Sequence, residues 1–201
     1  MAILVVGGSH RGVGKTALVC GLMGALPEYK WIAIKITSHD HGLPATVWEE
    51  MQAGQGTDTA RYMSAGAMRA FLITASDGEI KERLAELERM VGPDDSVIYV
   101  SNRVVDFIKP DLFLLVDDPG AEQAAKLSFM RVASVADAMV SQGSSDSESA
   151  ERECSGSDAG RPRFQLVAFE GISPQMLEWL RERIPDLRKP GKRNSGLRHG
   201  A

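Results

Sequence analysis

The sequence predicts a doubly wound, mostly parallel α/β domain, and two observations carry that expectation. Short apolar runs rich in β-branched residues recur along the chain, at Ile3 to Val6, Trp31 to Ile36, Arg69 to Thr74, Val97 to Val100 and Leu112 to Val116. Such runs lack the polar alternation of half-exposed strands and match strands covered on both faces. Stretches of helical spacing separate several of them. The clearest is Glu79 to Val91, with Ile80, Leu84, Leu87 and Met90 or Val91 on one face and acid/base pairs on the other.

Length and composition fit one such domain. The chain has 201 residues with an ordinary apolar fraction of 43%, enough for a sizeable core and too little for a second full domain. The domain is expected to span 1–184, with a Ser/Gly/Asp/Glu-rich insertion at 141–163 whose composition is that of a disordered segment, and a basic flexible tail at 185–201. A net charge of −4 argues against a nucleic-acid binder held by a general basic field. Cys20 and Cys154 match no metal or redox spacing; Cys20 reads as a core residue and Cys154 as an exposed thiol in a reducing compartment. The opening apolar run is only a strand long and has no basic leader, so no signal peptide is expected. No stretch approaches a membrane span, and a cytoplasmic protein is expected.

The first strand runs into Ser9 to Thr16, S-H-R-G-V-G-K-T, and then a helix from Thr16 to Leu26 with Pro27 beyond it. The spacing follows the phosphate-loop pattern G-x-x-x-x-G-K-[ST], which points to a P-loop nucleoside triphosphate hydrolase fold. In that pattern glycines let successive N–H groups turn inward on phosphate oxygens. Gly12 and Gly14 supply the curl here. The pattern sets Ser9, His10, Arg11, Gly12, Val13, Gly14, Lys15, Thr16 and Ala17 around a nucleotide. Lys15 reaches the β- and γ-phosphates, and the Thr16 hydroxyl ligates Mg²⁺. Ser9 stands where the first glycine is expected, with Gly7 and Gly8 before it as the source of flexibility. The bland alternative is a glycine-rich turn that binds nothing.

Further along, T-S-H-D-H-G (Thr37 to Gly42) follows the second strand, at the end where α/β folds place ligand groups. Asp40 is a candidate magnesium and catalytic residue, and His39 or His41 a phosphate or ligand contact; a solvated turn is the competing reading. Zinc does not fit the ligand set. Leu43 to Thr57 reads as a loop or weak helix, and Asp58 to Ala67 as a short helix with a default Asp58–Arg61 ion pair, a nucleotide or partner contact being the competing reading. Leu112 to Val116 ends in Asp117 and Asp118. That resembles a strand whose carboxylate orders a magnesium-bound water, but Asp also starts turns, and a strand this late in the chain is expected away from the loop. Ala121 to Val132 reads as a helix, Ala136 to Val140 and Phe164 to Phe169 as strands, and Pro174 to Ile184 as a closing helix.

Four stretches together resemble the molybdopterin-guanine dinucleotide biosynthesis protein B (MobB) family, of the P-loop class that also holds dethiobiotin synthetase and the nitrogenase iron protein. They are Ser9 to Thr16, Ile34 to His41 (I-K-I-T-S-H-D-H), Asp58 to Ala67 (D-T-A-R-Y-M-S-A-G-A) and Val97 to Arg103, with a weaker match over Lys109 to Val140. The resemblance implies a GTP-binding protein of weak hydrolytic activity that helps a partner nucleotidyltransferase attach GMP to molybdopterin during molybdenum-cofactor biosynthesis. It further implies a homodimer. Gly12, Gly14, Lys15 and Thr16 match nucleotide and magnesium contacts, Lys35, His39, Asp40 and His41 a segment facing the site, and Asp58, Arg61 and Gly66 an element without assigned roles.

The chain departs from the family in three places. Val100 and Ser101 stand where the family carries a glutamate, Ser141 to Gly143 where related GTPases place a guanine reader, and His10 and Arg11 where the class carries lysine or glycine. The last two are candidates to stabilise phosphate charge. The alternatives are an ATP-dependent small-molecule kinase or synthetase on the same scaffold and a non-hydrolysing nucleotide-binding adaptor.

Overall fold

A computed structural model describes residues 2–38, 45–118, 120–121, 125–142, 160–167 and 171–184. The elements in chain order are β1 (Ile3–Gly8), α1 (Lys15–Ala25), β2 (Trp31–Thr37), β3 (Thr46–Glu49), α2 (Asp58–Ser64), β4 (Arg69–Thr74), α3 (Ile80–Glu88), β5 (Ser96–Val100), β6 (Leu112–Asp117), α4 (Leu127–Val132), β7 (Ala138–Gln142), β8 (Arg163–Val167), β9 (Gly171–Ile172) and α5 (Pro174–Arg183).

The strands form one nine-stranded sheet in the order β3-β4-β2-β5-β1-β6-β7-β8-β9. From β4 to β8 every neighbouring pair is parallel, and only β3 and β9 pair antiparallel, each at an edge. Successive side chains of β1 explain why its run is apolar throughout. Leu4 and Val6 pack beneath α1 (Leu18, Leu22), α2 (Tyr62) and α5 (Met176, Leu180). Val5 faces the opposite layer, where Ile80, Leu84 and Leu87 of α3 and Phe129 and Val132 of α4 cover the sheet. The fold is therefore α/β and doubly wound, with a central strand feeding a glycine turn and a helix that opens on lysine, the arrangement of the P-loop class.

Helix ends follow local chemistry. Ser173 caps α5 by accepting from the Met176 N–H at 3.2 Å, with Pro174 at the first helical position, where its missing N–H costs nothing.

Several expectations need correction. Thr46–Glu49, inside the stretch read as loop or weak helix, is a strand because β4 offers it an open edge; four residues are too few to show a period. β6 lies beside β1, not away from it: Gly8 and Val116 are register partners. Sequence order does not reveal strand order. The helix expected from Ala121 begins only at Leu127 among the described residues. The proposed insertion is trimmed at both ends, since Ser141 and Gln142 continue β7 and Arg163 opens β8. Within it residues 143–159 lie outside the described residues, as do the tail 185–201 and residues 168–169 of the strand read as Phe164 to Phe169.

Candidate phosphate site

The last two residues of β1 are glycines for a steric reason. A Cβ on Gly7 would lie 2.5 Å from Asn102 Oδ1, and one on Gly8 2.7 Å from Val13 Cγ1. They are packed strand residues and not a hinge for Ser9, which corrects the flexibility expected of them. Asn102 grips Gly8 on both sides of its backbone: the Gly8 N–H donates to Oδ1 at 2.7 Å, and Nδ2 donates to the Gly8 carbonyl at 3.0 Å. Beyond the strand, Gly12 (φ 84°) and Gly14 (φ 103°) adopt the left-handed conformation that the curl requires. No side chain caps α1 at Gly14, so the first N–H groups of that helix face the loop without a side-chain acceptor, the setting in which helix starts hold anions.

Ser9 anchors the loop through its backbone. Its N–H donates to the Val116 carbonyl at 2.9 Å, and its carbonyl accepts from the Lys126 N–H at 2.9 Å. Its hydroxyl is buried without a hydrogen-bond partner. His10, 9% exposed, has Nδ1 2.9 Å from the Arg11 carbonyl and a buried, unpartnered Nε2. Arg11 is exposed, whereas the Val13 side chain belongs to the core. Lys15 Nζ donates to the His10 carbonyl at 2.9 Å. Burial, helped by the positive charges of Lys126 and Lys35 and opposed by Asp58, lowers the Lys15 ammonium to about 8.

On one side of the loop, Thr16 donates its hydroxyl to Asp58 Oδ1 at 2.9 Å, and Lys35 Nζ donates to Asp58 Oδ2. Asp58 therefore bonds across the site to Lys35 and Thr16. Arg61, its expected partner, acts on it only as a nearby charge. Burial raises the Asp58 carboxyl, but those two hydrogen bonds and the two cations outweigh it and hold the carboxyl below the usual range. α2 is fixed from beneath: Thr57 caps it by accepting from the Ala60 N–H at 3.1 Å, while Thr57 and Thr59 donate to the buried Glu50 Oε2 at 3.1 and 3.0 Å. Asp58 sits between those threonines. Cys20, half-buried against the core, donates its thiol to the Arg61 carbonyl at 3.7 Å, and burial pushes that thiol up.

On the other side, Asp117 follows the Val116 carbonyl that holds Ser9, and its Oδ1 accepts from the Asp118 N–H at 2.9 Å. Asn102 Nδ2 also donates to Ser128 Oγ of α4 at 3.2 Å. Ser101, where the resembling family has glutamate, is buried and turns its hydroxyl to the Arg103 N–H at 3.1 Å. Asp40, His39 and His41 lie outside the described residues.

A hydroxyl and a carboxylate beside a phosphate loop are hard oxygen donors of the kind Mg²⁺ takes alongside phosphate and water. Thr16 and Asp58 fit that ion. The described residues contain no group of three or more His, Cys, Asp or Glu side chains able to hold a metal on their own. In the sequence the ion pair with Arg61 stands ahead of a nucleotide contact for Asp58, because its partner Lys35 lies 23 residues away. The usable signal is the lysine inside the apolar second strand, which needs an acid when buried.

No protein-family model matches the chain, and no curated protein matches it. Among solved structures it is similar to the "apo" form of LpxK from Aquifex aeolicus in complex with ATP, with 18% identity and a TM-score of 0.48. The match covers 83% of this chain and 54% of that one, so the chain spans about half the length of that structure. No helix among the described residues is long and apolar enough to cross a membrane.

Proposed function

We propose that the chain binds a magnesium–nucleoside triphosphate at Ser9–Ala17 and acts on its terminal phosphate. The observation that carries this reading is the cluster of Lys15, Thr16, Lys35 and Asp58 around a left-handed glycine loop at the start of α1. The loop amides and Lys15 bind and orient the phosphates, Thr16 and Asp58 hold the metal side, and Lys35 keeps Asp58 ionised. Mg²⁺ bound there supplies charge neutralisation for the phosphate oxygens. Lys15 adds a cation at the charge that develops on transfer, so catalysis is positioning and electrostatics with no covalent step.

The resemblance to MobB narrows the nucleotide to GTP and the task to molybdenum-cofactor maturation with a nucleotidyltransferase partner, as a weak GTPase and homodimer. A second reading, an ATP-dependent kinase or synthetase for a small molecule, is favoured by β7. Ser141 and Gln142 continue as strand where a guanine-reading loop is expected. Calorimetric titration with GTP and ATP, with and without Mg²⁺, decides between them. Magnesium-dependent binding of GTP over ATP supports the maturation reading, ATP preference the kinase reading, and binding of neither rejects both.

A further inference from the structure

We propose that Lys126 is a second phosphate-binding cation, one that makes the site prefer a nucleoside triphosphate to the corresponding diphosphate. The proposal rests on the nucleotide reading above and assigns a residue to the same site. Lys126 lies just before α4, far from the loop in sequence, yet its N–H is fixed on the Ser9 carbonyl at 2.9 Å. Two residues on, Ser128 is held by Asn102, the side chain that grips Gly8. The backbone that carries Lys126 is thus tied to the first residue of the phosphate loop, at the root of a flexible four-carbon stem that ends in an ammonium.

Its side chain is exposed and has no ion-pair or hydrogen-bond partner among the described residues. It is also near enough for its charge to be the strongest among those acting on the Lys15 ammonium. Of the three lysines around the loop, Lys35 is already neutralised by Asp58. Lys15 and Lys126 are left as two cations close enough for their charges to act on each other, neither of them ion-paired among the described residues. Two like charges held together repel until an anion joins them. A triphosphate carries one more anionic group than a diphosphate, and Lys126 is a lysine left without a counter-charge to receive it.

The test is calorimetric titration of the full chain with Mg-ATP, Mg-ADP, Mg-GTP and Mg-GDP, on wild type, Lys126→Gln and Lys126→Arg. Removing one charge-assisted hydrogen bond should weaken triphosphate binding about tenfold or more in Lys126→Gln, with diphosphate binding changed by less than about threefold. Lys126→Arg should keep the preference. Should the glutamine variant lose its cooperative melt, Lys126→Met, which keeps the stem, replaces it. An unchanged triphosphate-to-diphosphate ratio in Lys126→Gln overturns the proposal, as does an equal loss for both classes, which would mark a general charge effect on the loop and not a contact with the additional phosphate. A wild type that binds both classes equally overturns it while leaving the nucleotide reading intact. A wild type that binds no nucleotide overturns both, and is seen before any variant is made.

Discussion

The two flanks of the phosphate loop are built differently. On the β2–α2 side, side chains hold side chains: Thr16 and Lys35 on Asp58, and Thr57 and Thr59 on Glu50 beneath it. On the β6–α4 side the loop is held mainly by main chain, through Ser9 to Val116 and Lys126 to Ser9, with Asn102 as the one side-chain clamp among the described residues. The first flank fixes a carboxylate and hydroxyl where a metal needs defined geometry. The second fixes a backbone and leaves a charge free at its tip. One flank is specified by residue identity, the other by connectivity.

Lys15 serves both flanks, and its removal should have the largest effect. Lys15→Met is expected to weaken magnesium–triphosphate binding by about a hundredfold or more, as when a charged hydrogen-bond donor is taken out of a desolvated site. The same variant should leave the unliganded chain at least as stable in urea, because a buried ammonium crowded by two other cations opposes folding. A fall in binding accompanied by a fall in stability would show that Lys15 is a structural residue.

Asp58→Asn tests the side-chain flank by itself. It should remove the magnesium dependence of binding and weaken affinity in magnesium by about tenfold, since a hard cation loses a carboxylate donor. Titration in magnesium and in chelator gives the two values, and an undiminished magnesium effect would remove Asp58 from the metal side.

pH sharpens the comparison further. The free-state Lys15 ammonium titrates at about 8, below its ordinary value of 10.5, and a bound phosphate raises it. Binding should therefore take up a proton near pH 8, and affinity should fall as pH rises from about 8 towards 10. Calorimetry at pH 8 in buffers of different ionisation enthalpy measures that proton. The sign for folding is opposite to that of a paired lysine: Lys15 opposes folding below about pH 8, and stability rises above it as the amine deprotonates. Proton release on binding, or none, would contradict the assignment.

The smallest expected effect lies beneath α2. Thr57→Ala removes a helix cap and one hydrogen bond to Glu50, and should cost about 1 kcal/mol in urea denaturation. It should weaken nucleotide binding only through Asp58, and so only in the presence of magnesium.

The difference between the flanks also explains how much the sequence discloses. The central strand, the turn and α1 are legible because the signals that mark them are local, an apolar run, two glycines and a helix start within a few residues, even though Asn102, Val116 and Lys126 hold the loop from elsewhere in the chain. Helices α3 and α5 are legible from period and cap. Strand β3 is not, because four residues become a strand only against the edge of β4. Asp58 pairs on paper with Arg61 one turn away, since a sequence shows neighbours on a helix and not a lysine on β2. Asp117 reads as far from the loop because distance along the chain says nothing of the β1–β6 pairing that sets it beside Ser9. Each miss is a meeting of two elements, formed by sheet order that no local pattern encodes.

The strap between Ser9 and Lys126 is a bond from amide to carbonyl, and every amino acid except one can make it. A scan that replaces side chains by alanine would pass over it in silence, however strongly it couples α4 to the loop. Proline at 126 is the substitution that would cut it, since proline brings no N–H.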